Sequence, residues 1–158
     1  MLTDDMQRVI REQKLGFLAS VNDDGTPNLS PKATYIVLDD TTIAFVELRS
    51  PNTMRNIARN PAVELNFVDP FVRKGYRFRG RATAFMRNAE GFDALFARFG
   101  ELGRLADAVR AVVRVDLEEA EALISPAYDR GASEQSLRRD WTRKFRDMQP
   151  GGRFDTEL

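Results

Sequence analysis

The chain has 158 residues, 24 Lys+Arg against 24 Asp+Glu, and neither Cys nor His. That length sets one domain as the default, and the balanced charge gives no global pull toward nucleic acid or an anionic membrane. Without thiols or imidazoles there are no disulfides, no Cys nucleophile and no Ser-His-Asp triad, and the usual zinc ligands are missing.

Thr3 caps a first helix, with Asp4 and Asp5 in its opening turn and Leu2, Met6, Val9 and Ile10 on one stripe, ending near Lys14. The charged start, MLTDDMQRVIREQK, is unlike a signal peptide, so a cytoplasmic location is expected. Leu15–Asn22 reads as a strand. Asp23-Asp24-Gly25-Thr26 reads as a hairpin turn, and Pro27–Asp39 as the return strand. After a turn at Asp39-Asp40-Thr41, Thr42–Glu47 completes an antiparallel meander.

Ser50-Pro51 opens a helix, with Ser as cap and Pro at the first helical position. Met54, Ile57 and Ala58 form its buried stripe, and Asn60-Pro61 stops it. Ala62–Asp69 and Tyr76–Met86 are strands of period two. The second puts Arg77, Arg79 and Arg81 on one face, read as a solvent face, and Tyr76, Phe78, Gly80 and Ala82 on the other. Gly80 marks a place of close backbone approach. Asn88 caps a helix to about Phe99, whose Phe92, Leu95, Phe96 and Phe99 stripe is core or interface, broken by Gly100 and Gly103. Val109–Leu117 is a sixth strand, and Ala122–Ser125 a short further one. Ser133 caps a last helix with Leu137, Trp141, Phe145 and Met148 on one face, Trp141 being core or dimer packing. Residues 1–148 are expected to form one domain and 149–158 a flexible tail. The expected class is mainly β with flanking helices, a closed or nearly closed antiparallel barrel.

Two polar clusters stand out against the apolar runs: Ser30/Lys32/Thr34, and Ser50/Asn52/Thr53/Arg55/Asn56. The second lies at a helix N-terminus, where free N–H groups and the dipole favour an anion such as phosphate. The same polarity also caps helices that bind nothing. Lys32 reads either as an anion partner or as a solvated strand lysine, and Glu47 either as the partner of a ligand hydroxyl or, preferred, as a partner for Arg49.

The run GFLASVNDDGTPNLSPKATYIVLDDTTIAFVELRSPNTMRNIARNPAVELNF followed by GYRFRGRATAF, with its T-x-x-N-I-x-x-N-P helix and G-R-A strand end, resembles the pyridoxamine 5′-phosphate oxidase-like flavin proteins. The resemblance spans about Leu15 to Phe85. It implies the FMN-binding split barrel and a homodimer with FMN at the interface. Under it, Ser30, Lys32 and Thr34 line the flavin, Lys32 toward its N1 edge or its phosphate. Ser50, Asn52, Thr53 and Asn56 grip phosphate and ribityl oxygens, and Arg49 and Arg55 are extra phosphate partners. True pyridoxamine-phosphate oxidases use Arg and His toward the C-terminus for substrate. This chain has no His and no matching motif there, which counts against the vitamin B6 reaction and leaves FMN binding standing. The implied activity is an FMN-dependent oxidoreductase with a small-molecule electron donor or acceptor, with no nucleic acid, membrane or metal involved. The alternatives are a non-catalytic flavin-binding or electron-carrier module, or a split-barrel binder of deazaflavin or haem. Haem would lack His and Cys ligands but not Tyr and Met.

Overall fold

The computed structural model describes residues 1–100 and 102–149. The expected tail lies outside these residues except for Gln149. Helix α1 (Asp4–Gln13) is capped by the Thr3 hydroxyl, which accepts from the Met6 amide. Its inward residues Val9 and Ile10 are buried together with Leu2. The Tyr76 hydroxyl donates to Asp5 and, with Arg8, holds that carboxyl below its usual range.

Strands β1 (Gly16–Val21) and β2 (Pro27–Lys32) form the expected hairpin, and Gly25 supplies the positive φ of its turn. The return strand Pro27–Asp39 is a correction: it is two strands. β3 (Ile36–Asp39) pairs with β4 (Thr42–Glu47), whereas β2 pairs with β1. The remaining strands are β5 (Ala62–Asp69), β6 (Lys74–Met86) and β7 (Ala111–Ile124), and the seven-stranded order is β2-β1-β5-β6-β7-β4-β3. The expected meander is therefore two separate hairpins on opposite edges of one antiparallel sheet.

That connectivity closes the barrel. Four Cα steps from Lys32 to Ile36 reach at most about 14 Å, while seven flat strands would span roughly 29 Å. The sheet has to curl until its edges nearly meet. Thr34 lies in the crossing, and its hydroxyl donates to the Val46 carbonyl at 3.1 Å and accepts from the Val46 amide at 3.2 Å. One side chain thus makes both bonds of a missing ladder pair.

The two strands expected at Val109–Leu117 and Ala122–Ser125 are the single strand β7. Its acidic middle lies opposite basic β6, with Arg79 paired to Glu119 and Arg77 to Glu121. Arg77 and Arg79 also share Glu64, as an ordinary charged outer face would. The ladder shifts register at Arg79/Gly80, and a Cβ on Gly80 would strike the Asp116 carbonyl.

Leu18, Ile43, Phe45, Leu65, Phe67 and Phe78 fill the barrel with no exposed surface, and α1 covers one end. The helix expected from Asn88 starts later. Asn88 and Gly91 both have positive φ, so the helical residues are only Phe92–Phe96, followed by a 3-10 turn at Ala97–Phe99. Phe92 and Phe99 pack on Ala44, Val46 and Val112 in a second cluster outside the barrel. The last helix (Glu134–Met148) opens with a Ser133/Ser136 capping box. It buries Leu137, sets Trp141 under the Arg73 guanidinium at 4.1 Å, and ties to the body through Lys74–Glu134 and Arg138–Asp69.

Tyr35, in the crossing, packs edge-on against Phe45 and Phe67. Its buried hydroxyl has no hydrogen-bond partner, and burial pushes the phenol upward. Tyr35→Phe removes an unsatisfied group at constant shape. It is expected to leave stability unchanged or raise it by about 1 kcal/mol in urea unfolding. A loss of that size would mean the hydroxyl has a partner.

Candidate functional site

The polar corner of the molecule lies where β4 hands over to helix α2 (Pro51–Arg59). Pro51 pre-sets the first turn, and Asn60-Pro61 ends the helix as expected. Ser50 departs from expectation: it occupies the cap position but makes no side-chain capping bond. Its backbone N–H and hydroxyl both donate to the Glu47 carboxylate. Its oxygen accepts from the Lys32 ammonium at 2.6 Å. Lys32 also donates to Ser30 at 3.2 Å and to Glu47 at 3.4 Å, and lies 5.2 Å from the centre of the Phe45 ring.

The Lys32 and Glu47 side chains are only 8% and 4% exposed. The solvated-lysine reading is therefore overturned, and Glu47 pairs with Lys32 rather than with Arg49, which is exposed. Both charges are removed from water, so each depends on the other.

A second network lies under α2. Asn56 donates to Ser20 at 3.1 Å and to Asn22 at 2.9 Å, and Asn28 donates to Ser20 at 3.1 Å and to Thr53 at 3.3 Å. Thr53 and Asn56 are buried along with Ile57, while Ala58, expected in the core stripe, is exposed. The helix buries polar side chains because the hairpin beneath it is polar, with both amide hydrogens of Asn28 and of Asn56 matched. Ser20, Asn22 and Asn28 were missed in the sequence. Ser20 carries the one available signal, an inward position on the alternating strand β1.

The nine expected site residues divide accordingly. Ser30, Lys32 and Ser50 gather around Glu47. Thr53 and Asn56 face the hairpin, away from solvent. Thr34 is bonded to β4. Asn52 and Arg55 are exposed and bonded to each other, and Arg49 is exposed nearby in sequence. The first turn of α2 carries no acidic residue. The helix dipole, Arg49 and Arg55 together make this corner attractive to an anion.

The opposite side of the β1–β2 hairpin is apolar and open. Phe17 is 40% exposed, Leu29 63% and Leu15 51%. Phe17 faces Pro31 across the hairpin, and Ala19 faces Leu29. The patch continues through Val68 and Ile124 around a cleft of about 720 Å³. Among the described residues no acidic or His cluster is arranged to hold a metal, and no helix is long and apolar enough to cross a membrane.

The pyridoxamine 5′-phosphate oxidase family model matches residues 2–124. HupZ of Group A Streptococcus is 32% identical over 79% of this chain and 96% of its own, with a TM-score of 0.67. HutZ, the haem storage protein of Vibrio cholerae, shares the fold at 22% identity over 78% of this chain and 95% of its own, TM-score 0.62. An FMN-binding protein of Syntrophomonas wolfei does so at 14% identity over 74% and 82%, TM-score 0.60. No curated protein matches the chain.

Proposed function

Because the chain belongs to the pyridoxamine 5′-phosphate oxidase family, we propose that it binds FMN and works as an FMN-dependent oxidoreductase on a small-molecule donor and acceptor. The observation that carries this reading is the corner at the start of α2. There, two exposed guanidiniums, Arg49 and Arg55, stand with Asn52 at a helix entry that Ser50 leaves uncapped. These groups fit a phosphate monoester, since guanidinium and free amide donors are what its oxygens accept from. The same set is poor for haem iron, because the chain has neither His nor Cys. HutZ is a haem storage protein, but its likeness to this chain reaches only the fold.

In this reading Arg49, Arg55, Asn52 and the first-turn amides of α2 hold the phosphate. Ser30, Lys32 and Ser50 lie behind them as a polar wall, and the Ser50 and Lys32 donors take the innermost phosphate oxygen when the phosphate seats fully. Thr53 and Asn56 fix the helix on the hairpin, which is a change from direct phosphate contact. Bound FMN supplies the two-electron chemistry, and the protein's part is to hold and shield it. The reading takes the cytoplasm as the location.

It also takes a second copy of the chain as the cover for the apolar face at Leu15, Phe17, Leu29 and Val68. Such a contiguous open patch is of the kind that marks an interface. Light scattering is expected to give a dimer, and Phe17→Glu a monomer with an intact fold. A monomeric wild type at micromolar concentration would refute the shared-interface arrangement.

Flavin fluorescence titration tests the cofactor. FMN is expected to bind at least about tenfold more tightly than riboflavin, the worth of one charge-assisted bond. Equal affinities would remove the phosphate site. Repeated bleaching of bound FMN by reduced nicotinamide, reversed by an acceptor, is expected of the enzyme. Binding without turnover across a broad donor panel would leave a flavin carrier.

A further inference from the structure

We infer that Glu47 is a built-in anion that occupies donors a cofactor phosphate would otherwise take, and that it thereby sets the affinity of the corner for phosphate-bearing ligands. This rests on the reading that the start of α2 receives a phosphate. Glu47 ends a strand, β4, in which every residue is buried, and it is the strand's only ionisable residue. Its carboxylate collects three donors: the Ser50 N–H, the Ser50 hydroxyl and the Lys32 ammonium. An amide at a helix entry, a hydroxyl and an ammonium are the same donors that phosphate oxygens seek.

Carboxylate and phosphate cannot share them. Two anions a few ångströms apart repel, and each donated hydrogen serves one acceptor well. A phosphate seated deeply at this corner must draw Ser50 and Lys32 away from Glu47. A phosphate held only by Arg49, Asn52 and Arg55 does without them. The deep donors are thus satisfied in the ligand-free protein by a group of its own, which leaves no unpaired charge behind the helix. When only a fraction of molecules has its donors free, apparent affinity falls by that fraction. A carboxylate seated in nine molecules of ten weakens binding about tenfold.

The test measures FMN and riboflavin affinity by flavin fluorescence for wild type, Glu47→Gln and Glu47→Asp, with thermal melting of each apo form. Glu47→Gln is expected to bind FMN about tenfold more tightly, with riboflavin unchanged and a lower apo melting temperature. Glu47→Asp keeps the charge but withdraws it by one methylene, and it is expected to tighten FMN as well. Tightening in Glu47→Gln alone would mean simple repulsion and overturn the inference. So would unchanged or weaker FMN binding in both folded variants. If Glu47→Gln does not fold, Glu47→Asp decides: tighter FMN binding supports the inference and any other result overturns it. A wild type that does not prefer FMN over riboflavin, with both variants gaining the preference, would support the built-in anion and overturn FMN as the natural ligand. No preference in any of the three would overturn both.

Discussion

Lys32→Met is expected to destabilise the apo protein by about 3–5 kcal/mol, the effect of breaking a buried ion pair and leaving one charge without its partner. Over a chain of this size that corresponds to a fall in melting temperature of roughly 6–20 °C. The reasoning starts from burial. Glu47 is 3% exposed, and the stem and head of Lys32 lie against the Phe45 ring and the Ser30 and Ser50 hydroxyls. Met fills much of the stem's volume, so packing changes little and the loss is electrostatic. Adding Glu47→Gln removes the stranded charge and is expected to recover most of the loss, because removing both partners costs far less than removing one. A solvated lysine behaves differently, changing stability by no more than about 0.5 kcal/mol. A melting temperature unmoved by Lys32→Met would show that the pair opens to water in solution.

What was legible in the sequence followed from local period. Val63, Leu65 and Phe67 alternate, as do Tyr76, Phe78, Gly80 and Ala82, and they fall inside the barrel as expected. The Gly80 position was readable too, since a strand glycine marks a close approach, here of the Asp116 carbonyl. The split between β2 and β3 was not readable. Nothing in Pro31-Lys32-Ala33-Thr34 states that the strands on either side belong to opposite edges. That is a property of the whole curled sheet.

The site was half legible for a related reason. Polar residues at Ser50–Asn56 announced a special helix start, but local rules assigned Ser50 to capping and Ala58 to the core. Tertiary partners won in both cases. The Ser50 hydroxyl donates to buried Glu47, three residues upstream, and its oxygen accepts from the Lys32 ammonium in place of a helix amide. The polar hairpin residues Ser20, Asn22 and Asn28 draw Thr53 and Asn56 inward in place of an apolar stripe. The apparent phosphate ligands thus separate into buried organisers and exposed candidates.

That separation makes the exposed pair decisive. Arg49→Ala with Arg55→Ala is expected to weaken FMN binding by a hundredfold or more. Each guanidinium bond to a charged acceptor is worth about 1.5–3 kcal/mol, and two together pass the roughly 2.7 kcal/mol that corresponds to a hundredfold. Riboflavin has no phosphate, so its affinity is expected to stay within about twofold of wild type. Stability is expected to hold within about 0.5 kcal/mol, because both residues are exposed and the Arg55 contact with Asn52 is a surface one. The contrast with Lys32→Met is the point of the measurement: one variant loses the ligand and keeps the fold, and the other loses fold stability first. Binding at low and high salt adds a check: FMN affinity is expected to fall with salt, as guanidinium–phosphate contacts are screened, while that of riboflavin, which has no phosphate, is expected to hold. If the double variant binds FMN as tightly as wild type while remaining folded, Arg49 and Arg55 do not hold the phosphate.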